Sequence, residues 1–526
     1  MQHVRTYCTP VNGALRQAMP PGDPAILDYD KASAGVVLSW PPIAKRLRDI
    51  IEAYEIYSPA EYPTRYEQQR GISSWRCRCQ DEPSNGVADF HQHTVWTYVE
   101  SYKENIQNMH PLISPERLRV MVFETVSRAS NTPTGRALKR RRGSRAGSGN
   151  EALAAPPEFR IDQLPCCVES ALVLMVLALG KICLHRRMCG ADSAAEMRAC
   201  GDVLGSDYFR RADGIFRALQ DAPTLEHVWF LILGSLYYDQ VGQPVESFNL
   251  LTKAGGHLRD IIQPDLERYI HIRESAAAGQ QCKPGDPAMS VADNEKLVAA
   301  WTCLLLEGGI LTELQLHPSN MLSGQQLPYP DGLVWHDQGF EKNVIEAFAW
   351  QMHMYVLVQE VRHNLKGEIK APMIEACIQG FESHASSNPA FRNSSLFDRN
   401  LRATDILAAR LRVTYWGAEL LVYRHYIQQI LTFNHANTAE GASKDGGLVA
   451  LAKEAEVVNK FTLEMAKRGI HALVQSTSAF HDLPNERFVI TNMYSIAHAQ
   501  WGNLLILDSA QRDPSQSQTP ALSFLT

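Results

Sequence analysis

The chain has 526 residues, enough for several ordinary domains or one large helical array. Apolar residues make up 45% and charged residues 21%, which excludes a wholly unfolded chain and allows a sizeable core. A net charge of −6 excludes nucleic-acid binding through the overall field and leaves only a local basic patch for that role.

Residues 1–35 read as irregular, and the first 30 carry prolines without an apolar run, so no secretory signal is expected. The chain's 11 cysteines are scattered without a disulfide framework, which suits a reducing compartment, cytosol or nucleus. An amphipathic helix is predicted over Ile43–Tyr57, with Ile43, Leu47, Ile50, Ile51 and Tyr54 on one face. Residues 58–88 are polar and read as a loop. A helix over Thr94–Asn108 runs into Met109-His110-Pro111, and Pro115–Ser127 is a second helix.

Residues 128–157 are rich in Ser, Gly, Pro and Arg and cannot bury enough apolar surface to order themselves. They read as a disordered insertion. The next helix, Cys166–Arg187, contains the apolar run Ala171–Gly180. That run is shorter than the roughly 20 residues a bilayer requires, so a buried helix is expected. Asp207–Gln220 follows, with Ser206 as its N-cap and Tyr208, Phe209, Ala212, Ile215, Phe216 and Leu219 on one face. Leu225–Gln240 is apolar nearly all round and should be fully buried. Val245–Ile262 comes next.

The helix carrying Trp301, Leu304, Leu305, Gly308, Leu311 and Thr312 should end near Leu316, because Pro318 disfavours helix in the residue before it. Further helices are predicted over Glu341–Leu365, Leu401–Phe433, Val449–Ser478 and Glu486–Ser509, ahead of a loose tail over residues 510–526. No strand alternation and no sustained 34-residue period are found. The fold class is therefore all-α: a large array of packed antiparallel helices with a disordered internal loop. Three regions follow: an N-terminal region over 1–88, a helical domain over 89–509, and the tail.

Glu307 and Glu313 sit in so apolar a helix that they either face an effector or pair with arginines of the later helix, Arg410, Arg412 or Arg424. His498, Gln500 and Asn503 share helical spacing in another apolar helix, where satisfied core polar groups are the plainer reading. Lys139, Arg140, Arg141 and Arg142 form a basic run. It reads either as a nuclear-import signal or as a solvated charge run. Cys77-x-Cys79 with His91-x-His93 supplies zinc-ligand types at an uncommon spacing, and free thiols with surface histidines are the expectation. No nucleophile elbow, phosphate loop, dinucleotide fingerprint or His-Glu-x-x-His pattern occurs, so no enzyme is expected and no catalytic or metal residues are assigned.

The stretch Leu311-Thr312-Glu313-Leu314-Gln315-Leu316-His317-Pro318-Ser319, with Trp301 before it and the Leu-Pro-x-Pro loop at Leu327–Pro330 behind, resembles the signature region of the fungal-specific transcription factor domain, or middle homology region. His317 departs from that family's Pro. Met109-His110-Pro111 resembles the family's opening turn, and the run from Ala171 to Cys183 resembles its buried helix. Asp207–Ile262 is similar to the following helices. Leu411–Tyr426, in which His425 replaces the usual Pro, resembles a Tyr-Tyr-Gly-Ala segment, and Thr491–Leu505 the closing helix. The likeness preserves segment order over about residues 90–508.

The resemblance implies a nuclear transcription regulator or co-regulator. Its helical body would sense a small-molecule effector and associate with itself, as a homodimer, or with other transcription factors. The family's usual binuclear zinc cluster needs a C-x2-C start, and none occurs among Cys8, Cys77 and Cys79. DNA contact is therefore expected only indirectly, and zinc only with a cluster outside this sequence. No membrane is expected. Glu307, Glu313, Arg424 and His498 are the effector-pocket or buried-pair candidates. The alternative is a cytosolic helical adaptor or effector-binding protein derived from the same family.

Overall fold

The structure, a computed structural model, describes residues 33–53, 89–131, 164–188, 204–219, 223–277, 289–314, 327–364, 405–437, 460–481, 489–491 and 493–512, together with 316, 319, 379, 380, 403 and 483. Among the described residues there are helices and no strands, so the fold is all-α. The α-helices are α1 Pro41–Ala53, α2 Gln92–Tyr102, α3 Pro115–Asn131, α4 Val168–Met188, α5 Ser206–Ala218, α6 Leu225–Gln240 and α7 Pro244–Ile262. They continue as α8 Leu266–Ala277, α9 Val291–Leu314, α10 Gly332–Asp337, α11 Lys342–Asn364, α12 Ile406–Asn437, α13 Lys460–Ser478 and α14 Met493–Gln511. A 3-10 helix over Ala34–Ser39 precedes α1, and a π-helical turn over Lys103–Gln107 extends α2.

The first core forms around α4. Every residue from Ala171 to Leu179 is buried, so this helix must be covered on all sides, and α2, α3, α5 and α6 cover it. Two glycines permit the close approach. A Cβ on Gly180 would lie 2.0 Å from the Tyr98 carbonyl oxygen, so α2 and α4 meet nearly backbone to backbone. Gly205 has φ +76, and a Cβ there would meet the Ala178 carbonyl oxygen at 2.6 Å. This corrects the expected cap. Gly205 precedes α5 in the left-handed conformation without a side-chain hydrogen bond, and Ser206 is the first helical residue.

Helices α4 and α9 are each long and apolar enough to cross a membrane, but 72% and 83% of their apolar windows are buried inside the protein. Helix α6 is apolar on every face and buried, as its sequence implies. It returns into α7 through Val241-Gly242-Gln243, where Gly242 takes φ +74 and Pro244 opens the next helix. Helix α9 then packs on α7. Its start is tied by a reciprocal cap: Ser290 N donates to Asp293 Oδ2 at 3.1 Å, and Asp293 N to Ser290 Oγ at 3.1 Å. Burial of the Asp293 carboxyl is outweighed by donors from Arg268, Ser290 and Tyr269, which hold it well below the usual carboxylate range.

The second core is built by α12 and α13, which run side by side, with α14 and α11 against them. Helix α11 serves both cores. Ile345, Phe348, Ala349 and Met352 enter the first, whereas Val344, Ala347, Trp350, Met354, Leu357 and Val361 enter the second. Each set recurs at helical spacing, which is why this helix shows no single apolar face.

Several boundaries differ from expectation. Helix α3 continues through residues 128–131, which composition placed in the insertion. Helix α14 begins at Met493, because Asp239 of α6 accepts from the Met493 and Tyr494 backbone N–H groups and caps it from a distance. Residues 33–53 join the second core: Val37, Trp40 and Ile43 are buried in it, and Arg46 pairs with Asp508. Residues 132–163, with the basic run and most of the insertion, lie outside the described residues, as do Cys77 and Cys79.

Gly180→Ala is expected to cost about 3 kcal/mol through backbone overpacking. Gly214→Ala, where a Cβ would meet nothing within 4 Å, is expected to stabilise by about 0.5–1 kcal/mol. Thermal melting read by circular dichroism checks the pair, and equal melting temperatures would remove the close-approach account.

Candidate functional site

At the seam between the cores, α9, α11, α12 and α14 line a partly open cavity of about 250 Å³. Apolar side chains such as Leu305, Val413, Leu421 and Ile496 make most of its wall. The charged groups on the wall, among the described residues, are one carboxylate, Glu313, and three guanidiniums, Arg362, Arg410 and Arg424.

Glu313 lies in the last turn of α9 and is 3% exposed. A buried carboxylate needs donors, and it has three. Ala34 N donates to Oε2 at 3.0 Å, Ser33 Oγ at 3.4 Å, and His498 Nδ1 at 2.6 Å. The imidazole of His498 is itself stacked on Tyr494, one turn earlier in α14, at 5.5 Å between ring centroids. Ser33 also caps the 3-10 helix by accepting from Gly35 N at 3.1 Å. Arg424 of α12 closes the arrangement by donating to the Ser33 carbonyl at 3.0 Å, with its guanidinium 5.6 Å from the centre of the Trp40 ring. Burial lowers the Arg424 guanidinium to about 10, against a smaller opposing effect from Glu313, and it stays charged at neutral pH.

Sequence-level candidates thus separate. Glu313 and Arg424 line the cavity, and His498 supports Glu313 from beside it. The partner of Glu313 is that histidine, because α14 and not α12 lies within reach of its oxygens. Glu307 points elsewhere: its Oε1 accepts from Ser319 N at 2.6 Å, and burial raises its carboxyl above the usual range. It fixes Ser319 beyond the helix, and residues 328–329 pack on α9 at Trp301. The Trp301 indole donates to the Pro328 carbonyl at 3.0 Å, and Tyr329 stacks on its ring. Gln500 and Asn503 donate to Ser476 of α13, at 3.2 and 3.3 Å to its hydroxyl, as satisfied packing groups. Lys139, Arg140, Arg141 and Arg142 lie outside the described residues.

Three groups on the cavity wall escaped sequence reasoning. Arg362 donates to Thr312 Oγ1. His110, in the turn after the π-helix, is fully buried with Nε2 2.9 Å from Thr491 Oγ1. Burial, helped by Arg410, holds its imidazole well below the ordinary value, so it is neutral at pH 7. Gln351 is 9% exposed on α11. Gln351 and Arg362 lie about three turns apart on α11 and His110 in a turn far from it in sequence, so only the fold brings the three together.

Among the described residues no group of three His, Cys, Asp or Glu is placed to hold a metal ion. His91 and His93 are exposed at the start of α2. Comparison with protein-family profiles, with curated proteins and with solved structures finds no match to this chain.

A histidine held neutral contributes stability that is complete above its unfolded value, about 6.5, and is lost as pH falls toward its depressed folded value. Between pH 6.5 and 5, wild type should therefore lose up to about 1.4 kcal/mol per pH unit more than His110→Gln. Denaturant melts at stepped pH measure the difference, and parallel profiles would count against a neutral buried His110.

Proposed function

We propose that this chain is a fungal-type transcription regulator or co-regulator whose helical body senses a small molecule in the seam cavity. One observation carries the reading. The two stretches with the most telling family-like lettering, residues 300–330 and 411–426, contribute much of the wall of the same cavity. Leu305, Glu313, Val413 and Arg424 come from those stretches. The resemblance supplies the regulatory role, and the cavity supplies a place for an effector.

The mechanism is a shift between packings of the two cores. An occupant touches α9 of the first core and α12 and α14 of the second, so any preference for one packing moves the equilibrium toward it. Output then passes to promoters through other factors or a second copy of the chain, with the nucleus as the site of action and Lys139–Arg142 as the import signal.

Tethering the full chain to an unrelated DNA-binding module should change reporter output several-fold relative to the module alone. Changing Lys139, Arg140, Arg141 and Arg142 together to Ala should move a fluorescent fusion from nucleus to cytosol. A fusion that stays nuclear removes the import assignment. A wild-type chain that is cytosolic and silent on the reporter favours the adaptor reading instead.

A further inference from the structure

Arg410 stands apart from the other cations of the cavity. Arg362 is committed to Thr312, and Arg424 to the carbonyl of Ser33. Arg410 is only 9% exposed, and among the described residues its guanidinium has neither a hydrogen bond nor an ion pair. Gln351, on α11, is equally buried, and its side-chain amide is likewise without a hydrogen-bond partner among the described residues. Both side chains line the cavity. An uncompensated buried cation is costly to keep, and an orphaned buried amide adds to the cost. Apolar residues of similar size would pack this wall more stably.

The charge count points the same way. Three guanidiniums against one carboxylate leave the cavity with two positive charges in excess. Glu313 is already held by the N-terminal segment and His498 and is not Arg410's partner. We propose that the cavity binds a small monocarboxylate with an apolar body, its carboxylate on Arg410 and Gln351 and its body against Leu305, Val413, Leu421 and Ile496. A guanidinium offers paired N–H donors that match the two carboxylate oxygens, and the Gln351 amide can add a third donor. A single uncommitted guanidinium suits a single negative charge. The volume of about 250 Å³ lies near the small end of ligand sites, which limits the body to a short chain or one ring. This assignment rests on the reading of the cavity as an effector site.

The test uses the full chain with hexanoate, benzoate and 3-phenylpropanoate as probes, and hexan-1-ol, benzyl alcohol and hexyl phosphate as comparators. Thermal shift and titration calorimetry are the readouts. At least one carboxylate should bind and raise Tm, with its alcohol counterpart weaker by about 30-fold, the range of a charged hydrogen bond. Arg410→Met should weaken that binding by about 30-fold and, without ligand, melt at or above wild type. Arg410→Gln provides a second variant should Met disturb packing.

Binding by none of the three carboxylates overturns the proposal, as does equal binding of alcohols or tighter binding of hexyl phosphate. It also fails if both variants melt well below wild type without ligand, since Arg410 would then be structural. The regulator reading is judged separately on the tethered reporter. Carboxylate binding with a silent reporter sinks that reading and spares this one. A reporter that responds equally in wild type and Arg410→Met does the reverse.

Discussion

The buried carboxylate of Glu313 is the constraint on which the seam depends. A charge taken out of water must recover its hydration from fixed donors, or the burial is strongly unfavourable. Here the donors arrive from two distant parts of the chain: the backbone and hydroxyl of Ser33 and Ala34, and the imidazole of His498. Satisfying one side chain therefore fixes the end of α9, the N-terminal segment and α14 with respect to one another. Arg424 adds α12 by gripping the same serine from its carbonyl side. The wall of the cavity is a by-product of this satisfaction.

Helix α11 explains why two cores behave as one body. A helix that feeds a single core needs one apolar stripe. This one carries two, offset around its axis, and it stands between α9 and α12. Between the stripes on one side, Gln351 and Arg362 meet the cavity, with Gln359 nearby. The cavity is thus the place where neither stripe closes the packing.

Much of the fold was legible because burial dominates composition in this chain. Helices α4, α6 and α9 are apolar on most faces, and extensive burial follows from that alone. Local punctuation read less well where a neighbour intervened. Ser206 has the chemistry of an N-cap, but the turn before it must pass over the Ala178 carbonyl, so a glycine takes the position. Met493 begins a helix because Asp239 reaches it across 254 residues, and no local signal announces such a cap. The site was legible in part. Glu313, Arg424 and His498 stood out as polar letters in apolar helices, but the pairing did not. The importance of Arg410 lies in what it does not touch, which no linear pattern encodes.

The grip of Arg424 on Ser33 spans 391 residues, and its effect reaches into synthesis. During translation the N-terminal segment emerges first, yet its docking surface is complete only when α14 has left the ribosome. At about 5–20 residues per second, the 391 residues to Arg424 alone take roughly 20–80 s, and α14 follows later. Until then Val37, Trp40 and Ile43 lack the complete core that buries them in the folded chain. Closure of the segment around Ser33 over α9, α12 and α14 therefore waits until α14 has been made.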